Sequence, residues 1–169
     1  MSQLGEETLQ GYEPPRSTQF SIFLDNRIGK LFDLVDLFRD QAVTLAGMSI
    51  TESTEFAVVR LLTSNAPLTR QLLEQHKLPF SEIEVLAVEL DGDRTLMELC
   101  RVLLGAELSI QHAYPLLVQP HGKPVIALRT DDLLMAGQIL RRKLFTLLAE
   151  NDLGRSTPGG SPGEPYHPD

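Results

Sequence analysis

FSIFLDNRIGKL is the sequence of residues 20 to 31, and two hydrophobic periods meet within it. Apolar residues alternate from Phe20 to Leu24, which predicts a strand with one buried face, and they recur at helical spacing from Leu31 onward. The polar turn between these periods, Asp25 to Gly29, leaves backbone N–H groups at the helix start without intrahelical partners. A glycine there permits close approach, so the turn can hold a small carboxylate. The turn also fits a plain capped connection, which the residue chemistry alone favours.

Composition limits the classes of partner. The chain has 169 residues, a net charge of −8 and 42% hydrophobic residues, so it can bury a sizeable core. A nucleic acid or an anionic membrane requires a clustered positive field, and the charge argues against both. One basic cluster, Arg141 to Lys143, falls at the predicted end of a helix, where it complements the helix dipole. We expect no nucleic acid and no membrane partner.

Cysteine and histidine usage predicts neither a disulfide nor a metal site. Cys100 is the sole cysteine, which excludes an internal disulfide and a Cys-only metal site. It shares a predicted helix face with Met97 and Leu104, so we expect a buried apolar thiol. The four histidines are scattered and form no local ligand pair. We expect no cofactor, and a soluble cytoplasmic protein, because there is no leader pattern and no apolar run of membrane length.

The predicted elements repeat one order, strand, helix, strand, strand, helix, strand. The first unit has strands near residues 18–24, 42–52 and 56–62, with helices near 29–40 and 66–77. The second unit has a helix beginning near 95, strands near 107–118 and 124–129, a helix ending near 143 and a strand near 144–149. Between them, the strand of residues 80–90 changes the parity of its apolar positions after Val85. This change predicts one long strand that serves two cores and switches its buried face partway along.

An offset of 66 positions relates the two units. Leu90, Asp91 and Thr95 follow Leu24, Asp25 and Gly29 by that distance. The same offset carries the helix face Leu31, Leu34 and Phe38 onto Met97, Cys100 and Leu104. A duplicated split β-α-β order predicts an α+β fold with antiparallel sheets and helices on one face. We predict two domains, residues 18–85 and 86–153, between a flexible arm, 1–17, and a disordered Gly/Pro-rich tail, 154–169.

Local signals mark a bulge and three helix starts. The parity of apolar residues changes around Gly47, which predicts a β-bulge in the second strand. Asn65 is predicted to cap the first unit's second helix, and Asp131 is predicted to cap the last helix. Thr95 and Glu98 form a T-x-x-E capping box. A capped start at Thr95 leaves fewer N–H donors for a ligand.

The sequence carries no enzyme motif in a fitting context. There is no P-loop, G-x-G-x-x-G, H-E-x-x-H or C-x-x-C, and no paired-carboxylate site is forced. The pattern G-x-S-x-G occurs once, as GGSPG at residues 159–163, inside the predicted disordered tail and without the strand and helix that a nucleophile elbow requires. Met48 to Ile50 and His112 to Tyr114 are candidates to line a groove beside each turn, or to make edge and subunit contacts. His112 is a weak candidate for a proton donor, because a lone histidine beside apolar neighbours more often makes a structural hydrogen bond.

The segment FLDNRIGKLFDLVDLFRDQAVTLAGMSITES, residues 23 to 53, resembles the first half of an ACT domain, a small regulatory module that binds amino acids. A strand, an Asn and Gly turn, an apolar helix and a second strand occur in this order in that family. The duplicated unit with a continuous middle strand resembles the stand-alone tandem ACT proteins. The closing segment LLAENDL, residues 147 to 153, is also similar to theirs. The resemblance covers about residues 18–153.

The resemblance implies a ferredoxin-like βαββαβ fold in each half, with an amino acid bound at an interface between two such units. The first site that it implies consists of Asp25, Asn26, Arg27, Ile28, Gly29, Leu31, Ser49 and Ile50. The second candidate site consists of Asp91, Gly92, Asp93, Arg94, Thr95 and Tyr114. In the second turn, Thr95 stands where the family has glycine, and Arg94 where proline or a small apolar residue is common. The second unit is therefore expected mainly to complete the interface.

These inferences converge on a non-catalytic regulatory protein, forming a homodimer, that binds an amino acid and signals allosterically to a biosynthetic enzyme or other partner of amino-acid metabolism. The alternative is a structural interaction module with no small-molecule ligand. A weaker third hypothesis is a small enzyme that uses His112 with nearby acids.

Overall fold

The computed structural model describes residues 13–154, which form seven strands and four α-helices. Residues 1–12 of the predicted arm and residues 155–169 of the predicted tail lie outside this part of the chain. The strands are β1 Ser17–Asp25, β2 Leu45–Glu52, β3 Phe56–Thr63, β4 Phe80–Glu89, β5 Ile110–Pro115, β6 Val125–Thr130 and β7 Thr146–Leu148. The helices are α1 Lys30–Asp36, α2 Ala66–Gln75, α3 Leu96–Gly105 and α4 Leu133–Arg142, and a 3-10 helix, Glu150–Gly154, follows β7.

The strands form one curled antiparallel sheet in the order β2-β3-β1-β4-β6-β5, and β7 also pairs with β4. The path β2-β3-β1-β4 is one ferredoxin-like unit, and β7-β4-β6-β5 is a second. The predicted α+β fold with two βαββαβ units is confirmed. β3 lies between β2 and β1, as expected of a strand that is apolar on both faces.

β4 belongs to both units. Its first half pairs with β1 as far as Val85, and its second half pairs with β6 from Leu86. Leu86 and Val88 pack beneath α3 and α4, whereas Ile83 and Val85 lie on the opposite face, between the two halves of the sheet. The predicted shared strand is therefore present, and its large apolar side chains change face after Val85 as predicted. Ala87 is also buried between the sheets, so the second half of β4 is buried on both faces. The parity change arises because each half of β4 is apolar toward a different layer.

Three hydrophobic clusters hold the layers together. The first lies between α1, α2 and the first unit's strands, and the second lies between α3, α4 and the second unit's strands. The third cluster joins the sheet faces that carry no α-helix. It contains Ala46, Leu62, Val85, Ala87, Tyr114, Val125, Ala127, Leu148 and Leu153. The two units are consequently packed sheet against sheet, with their helices outside.

The segment before β1 is also anchored. Pro14 is buried, and an added Cβ on Gly137 of α4 would lie 2.5 Å from the Pro14 Cγ. Only a glycine at that position leaves room for the proline ring. Pro14 thus contacts the second unit before β1 begins at Ser17.

The first unit's local signals are observed as predicted. The pairing of β2 with β3 shifts register between Leu45 and Gly47, which is the predicted bulge. The Asn65 Oδ1 accepts the Leu68 N–H at 3.1 Å, as a cap should. α1 is shorter than predicted, because the chain after Asp36 continues in tighter turns, with the Phe38 N–H donating to the Val35 carbonyl at 3.1 Å. Asp40, with a φ of 58°, ends these turns.

The second unit's helix starts differ in part from the predictions. The Thr95 Oγ1 accepts the Glu98 N–H at 3.2 Å, but the Glu98 carboxylate pairs with Arg101 at 2.8 Å and does not close the capping box. The predicted cap at Asp131 is wrong. Asp132 caps α4 by accepting the Met135 N–H at 2.9 Å.

The predicted buried face of α3 is also wrong. Leu99, Val102 and Leu103 are buried, whereas Met97 is 68% exposed and Cys100 is exposed. The buried residues Leu99 and Leu103 follow Leu34 and Phe38 of the first unit by 65 positions, not 66. One residue corresponds to about 100° around a helix, so this single step turns the predicted face outward. Within residues 13–154, none of the helices combines the length and hydrophobicity needed to cross a bilayer.

Candidate functional site

The turn between β1 and α1 is open to solvent. Gly29 is the N-cap of α1 with a φ of 87°, a left-handed conformation that disfavours other residues, and it offers no capping side chain. The first helical bond runs from the Asp33 N–H to the Gly29 carbonyl at 3.0 Å. The N–H groups of the preceding helical residues, such as Leu31, come before this ladder. Ile28 is fully exposed beside them.

The polar side chains of this turn bind one another and the neighbouring turn. The Asn26 Nδ2 donates to the Glu52 Oε1 at 2.8 Å and to the Ser53 carbonyl at 3.3 Å. The Arg27 guanidinium lies 3.7 Å from the Asp25 carboxylate, and both are exposed. Asn26 therefore fixes the β1–α1 turn to the β2–β3 turn, while Arg27 keeps donors for another group.

The two predicted β2 residues lie on opposite faces of the sheet. Ile50 is opposite Val59, whose side chain belongs to the core under α1, so Ile50 shares the face of the turn. Ser49 is opposite Arg60 and lies on the other face, which is directed between the two units. The structure thus places Ile50, but not Ser49, on the same side of the sheet as Gly29.

A cavity of about 200 Å³ lies beside the turn. Apolar side chains from β1, α1 and the end of α2 form its walls, and three residues add charge or polarity. Its lining is Leu24, Lys30, Asp33, Leu34, Leu37, His76 and Leu78. Sequence analysis missed Lys30, Asp33 and His76 as site residues. The spacing of Lys30 and Asp33 by one helical turn was a usable signal, whereas nothing in the sequence brings His76 to them.

A second groove, of about 350 Å³, lies between α1 and the start of β2. Phe32 is 67% exposed at this groove, and Val35 is also exposed. It is lined by Phe32, Val35, Asp36, Phe38, Arg39, Val43 and Leu45. Exposed apolar side chains grouped beside an edge strand are typical of a surface that another protein covers.

The second turn is satisfied internally. The Asp91 Oδ1 accepts the Arg94 N–H at 2.7 Å and the Asp93 N–H at 2.9 Å, and these bonds lower the pKa of the Asp91 carboxyl below its usual range. The Thr95 cap occupies a further N–H. Tyr114, the last predicted member of this site, is buried, and its hydroxyl donates to Gln19 of the first unit.

Gln19, His112 and Tyr114 form a polar cluster between the sheets. The buried Gln19 Oε1 accepts the Tyr114 hydroxyl at 2.8 Å and lies 3.2 Å from the His112 Nε2, which therefore carries the proton. Burial raises the pKa of Tyr114. Burial, with the charges of Arg60 and Arg129, lowers the pKa of His112. Sequence analysis missed Gln19, because a glutamine at an alternate strand position reads as solvent-facing.

Comparison with models of protein families shows the family to which this chain belongs. The profile of the ACT domain pair matches residues 16–156. The chain belongs to the ACT domain pair family. A search of curated protein sequences with this chain returned no match.

Solved structures with the same fold include protein BT0572 from Bacteroides thetaiotaomicron. It is 19% identical, with a TM-score of 0.73 over 85% of this chain and 99% of that one. The ligand-free regulatory subunit of aspartate kinase from Thermus thermophilus is 8% identical, with a TM-score of 0.50 over 77% of this chain and 93% of that one. At these identities the likeness concerns the fold of the ACT domain pair alone.

Proposed function

We propose that this ACT domain pair is a non-catalytic cytoplasmic regulator that binds an amino acid beside the Gly29 turn. It would signal the occupancy of that site to an enzyme or other partner of amino-acid metabolism. The cavity next to the turn carries the proposal, because it presents one cation, Lys30, and one anion, Asp33, over apolar walls. This is the charge pattern that recognises a zwitterion.

Each part of an amino acid has a counterpart in this cavity. The Lys30 ammonium and the Leu31 N–H suit an α-carboxylate, and the Asp33 carboxylate suits an α-ammonium. The leucine side chains of the lining suit an apolar ligand side chain. Pockets for drug-sized ligands measure roughly 300–1,000 Å³. A cavity of about 200 Å³ is therefore matched to a single amino acid.

We propose that a second copy of the chain covers the groove beside α1 and forms a homodimer. On its outer edge, β2 receives one hydrogen bond at its start, from the Leu117 N–H to the Ala46 carbonyl at 2.7 Å. Phe32 and Val35 are exposed next to the rest of that edge. A ligand that touches α1 would favour one arrangement of the two copies, and a partner would sense that arrangement.

A thermal-shift screen with the twenty L-amino acids and their D-enantiomers tests ligand binding. A ligand at a hundred times its dissociation constant stabilises the native state by about 2.7 kcal/mol, or about 5–10 °C for a domain of this size. Asp33→Asn and Gly29→Val should abolish the rise. Glu74→Gln removes an exposed charge from α2, outside the cavity, and should retain it. If no amino acid raises the wild-type melting temperature, the chain is better explained as a protein-interaction module without a ligand.

Light scattering after size exclusion tests the dimer separately. Phe32→Asp should convert the dimer to a monomer, because it places a charge in the contact. Leu104→Asp adds the same charge at a side chain that is 78% exposed on α3, and should leave the mass unchanged. A wild-type monomer at all concentrations would contradict this part of the proposal.

A further inference from the structure

The sheet faces between the two units carry two arginines without carboxylate partners. Arg60 on β3 and Arg129 on β6 both act electrostatically on His112 of β5. Within residues 13–154, no carboxylate lies within salt-bridge distance of either guanidinium. Arg129 is the cross-strand partner of His112, and Arg60 is the cross-strand partner of Ser21, which shares its β1 face with Gln19. Both cations therefore flank the cluster around Gln19, and an anion between them would relieve their repulsion.

The two guanidinium groups are held in place by neutral acceptors. The Arg60 Nη1 donates to the Thr51 Oγ1 at 2.8 Å, and the Arg129 Nη1 donates to the Glu84 carbonyl at 2.9 Å. Each bond uses one of the five N–H donors of a guanidinium. The nearby Glu84 carboxylate does not neutralise them, because it pairs with Arg16 at 2.6 Å. Oriented guanidinium groups with donors to spare suit carboxylates, which they bind with two parallel hydrogen bonds.

Two buried polar groups in this region also have no partner within the described chain. They are the Gln19 Nε2 and the Ser17 Oγ, both on the β1 face directed between the sheets. Gln19 is completely buried, and its Oε1 is already bound to His112 and Tyr114. A buried amide donor without an acceptor costs about 1–3 kcal/mol. The unpaired donors therefore indicate a missing acceptor.

We propose that Arg60, Arg129 and Gln19 form a binding site for a small dicarboxylate between the two units. Each guanidinium binds one carboxylate, and the Gln19 amide donates to the same anion. The imidazole of His112 and the hydroxyl of Tyr114 position Gln19. Because Arg60 belongs to the first unit and Arg129 to the second, the anion ties the two sheets together. This site goes beyond the proposed function, since it lies on the sheet face opposite the Gly29 turn.

Histidine ring signals in two-dimensional NMR spectra test the site with succinate as the probe. At pH 7.0, succinate should move the ring signals of His112 saturably, while those of His76 and His121 stay in place. Sodium chloride at equal ionic strength should not reproduce the movement, and acetate should bind more weakly. Inorganic phosphate serves as a dianion of a different class. If phosphate acts and succinate does not, the assigned ligand class is wrong.

Substitutions then locate the response. Arg60→Gln and Arg129→Gln should each weaken succinate binding about tenfold or more, the loss expected for one charged hydrogen-bonding partner. Arg101→Gln removes an exposed arginine on α3, on the outer side of the second unit, and should leave binding unchanged. Wild-type signals unmoved by succinate would mean that water meets these donors, which overturns the proposal. If Arg60→Gln and Arg129→Gln bound succinate as tightly as the wild type does, the proposal would also be overturned.

A further variant separates this site from the amino-acid cavity. Asp33→Asn should remove the amino-acid response of the Gly29 turn and leave the succinate response of His112 intact. If instead both responses disappear together, the two sites are not independent.

Discussion

The hydrogen bonds to Gln19 should make Gln19 and Tyr114 strongly non-additive. Tyr114→Phe removes the hydroxyl that donates to the Gln19 Oε1 at 2.8 Å, but that oxygen still has His112 at 3.2 Å. No acceptor is orphaned, so the loss should be that of one hydrogen bond, about 1 kcal/mol. Gln19→Met keeps the volume but leaves the Tyr114 hydroxyl and the His112 N–H without an acceptor. Two orphaned donors cost about 1–3 kcal/mol each, whereas removal of the unpartnered Gln19 Nε2 recovers about as much as one of them costs, so this variant should lose about 2 kcal/mol.

The double variant should lose about 2 kcal/mol, well short of the sum of about 3 kcal/mol for the two single variants. Once Gln19 is replaced, the Tyr114 hydroxyl has no acceptor, so its removal by Tyr114→Phe costs no further hydrogen bond. Urea unfolding followed by far-UV circular dichroism measures all four corners of the cycle. The slope of the free energy with urea should be unchanged, because β4 joins both units into one cooperative body. Additive losses within about 0.3 kcal/mol would show that Gln19 and Tyr114 act independently, and would refute the network.

The remaining predictions concern α3, its cap and His112. Leu99→Ala should destabilise the protein by about 2–5 kcal/mol and Met97→Ala by less than about 0.5, measured by urea unfolding; equal losses would restore the face predicted from sequence. Cys100 should react with one equivalent of Ellman's reagent in the native protein, and a thiol that reacts only in urea would contradict its exposure. Thr95→Ala should cost about 1 kcal/mol through the lost cap, and Thr95→Ser should restore most of it. The lowered pKa of His112 means that the unfolded chain takes up its proton more readily, so the free energy of unfolding should fall as the pH drops below about 6.5. His112→Gln should flatten that fall when stability is measured from pH 8 to 5.

Much of the fold could be predicted because its signals are local. Alternation from Phe20 to Leu24 reports a one-sided strand, and the Asn65 cap requires only residues three positions away. The face of α3 could not be predicted in this way. Seven of its ten residues are apolar, counting Leu96, Met97, Leu99, Cys100, Val102, Leu103 and Leu104, so two faces compete and packing against α4 and β4 decides between them.

The candidate site could be predicted only where it is contiguous in sequence. The exposed turn ending at Gly29 was visible because strand, turn and helix follow one another. The cavity also needs His76 and Leu78, which arrive from more than forty residues away. The cluster around Gln19 depends on contacts 93 and 95 residues apart along the chain. No periodicity in a single sequence reports such a contact.

The shared strand makes the junction between the units intolerant of length changes. Where two domains are joined by a loop, one added residue is absorbed by the loop. Here, one residue inserted between Val85 and Leu86 would invert every side chain of one half of β4 relative to the other. Leu86 and Val88 would then leave the helices that cover them, or Val85 and Ile83 would leave the layer between the sheets. Two inserted residues would preserve the faces but shift one unit along the strand by about 6.6 Å. The length of β4 is therefore a fixed spacer, and natural variation in the length of this chain should fall in its turns.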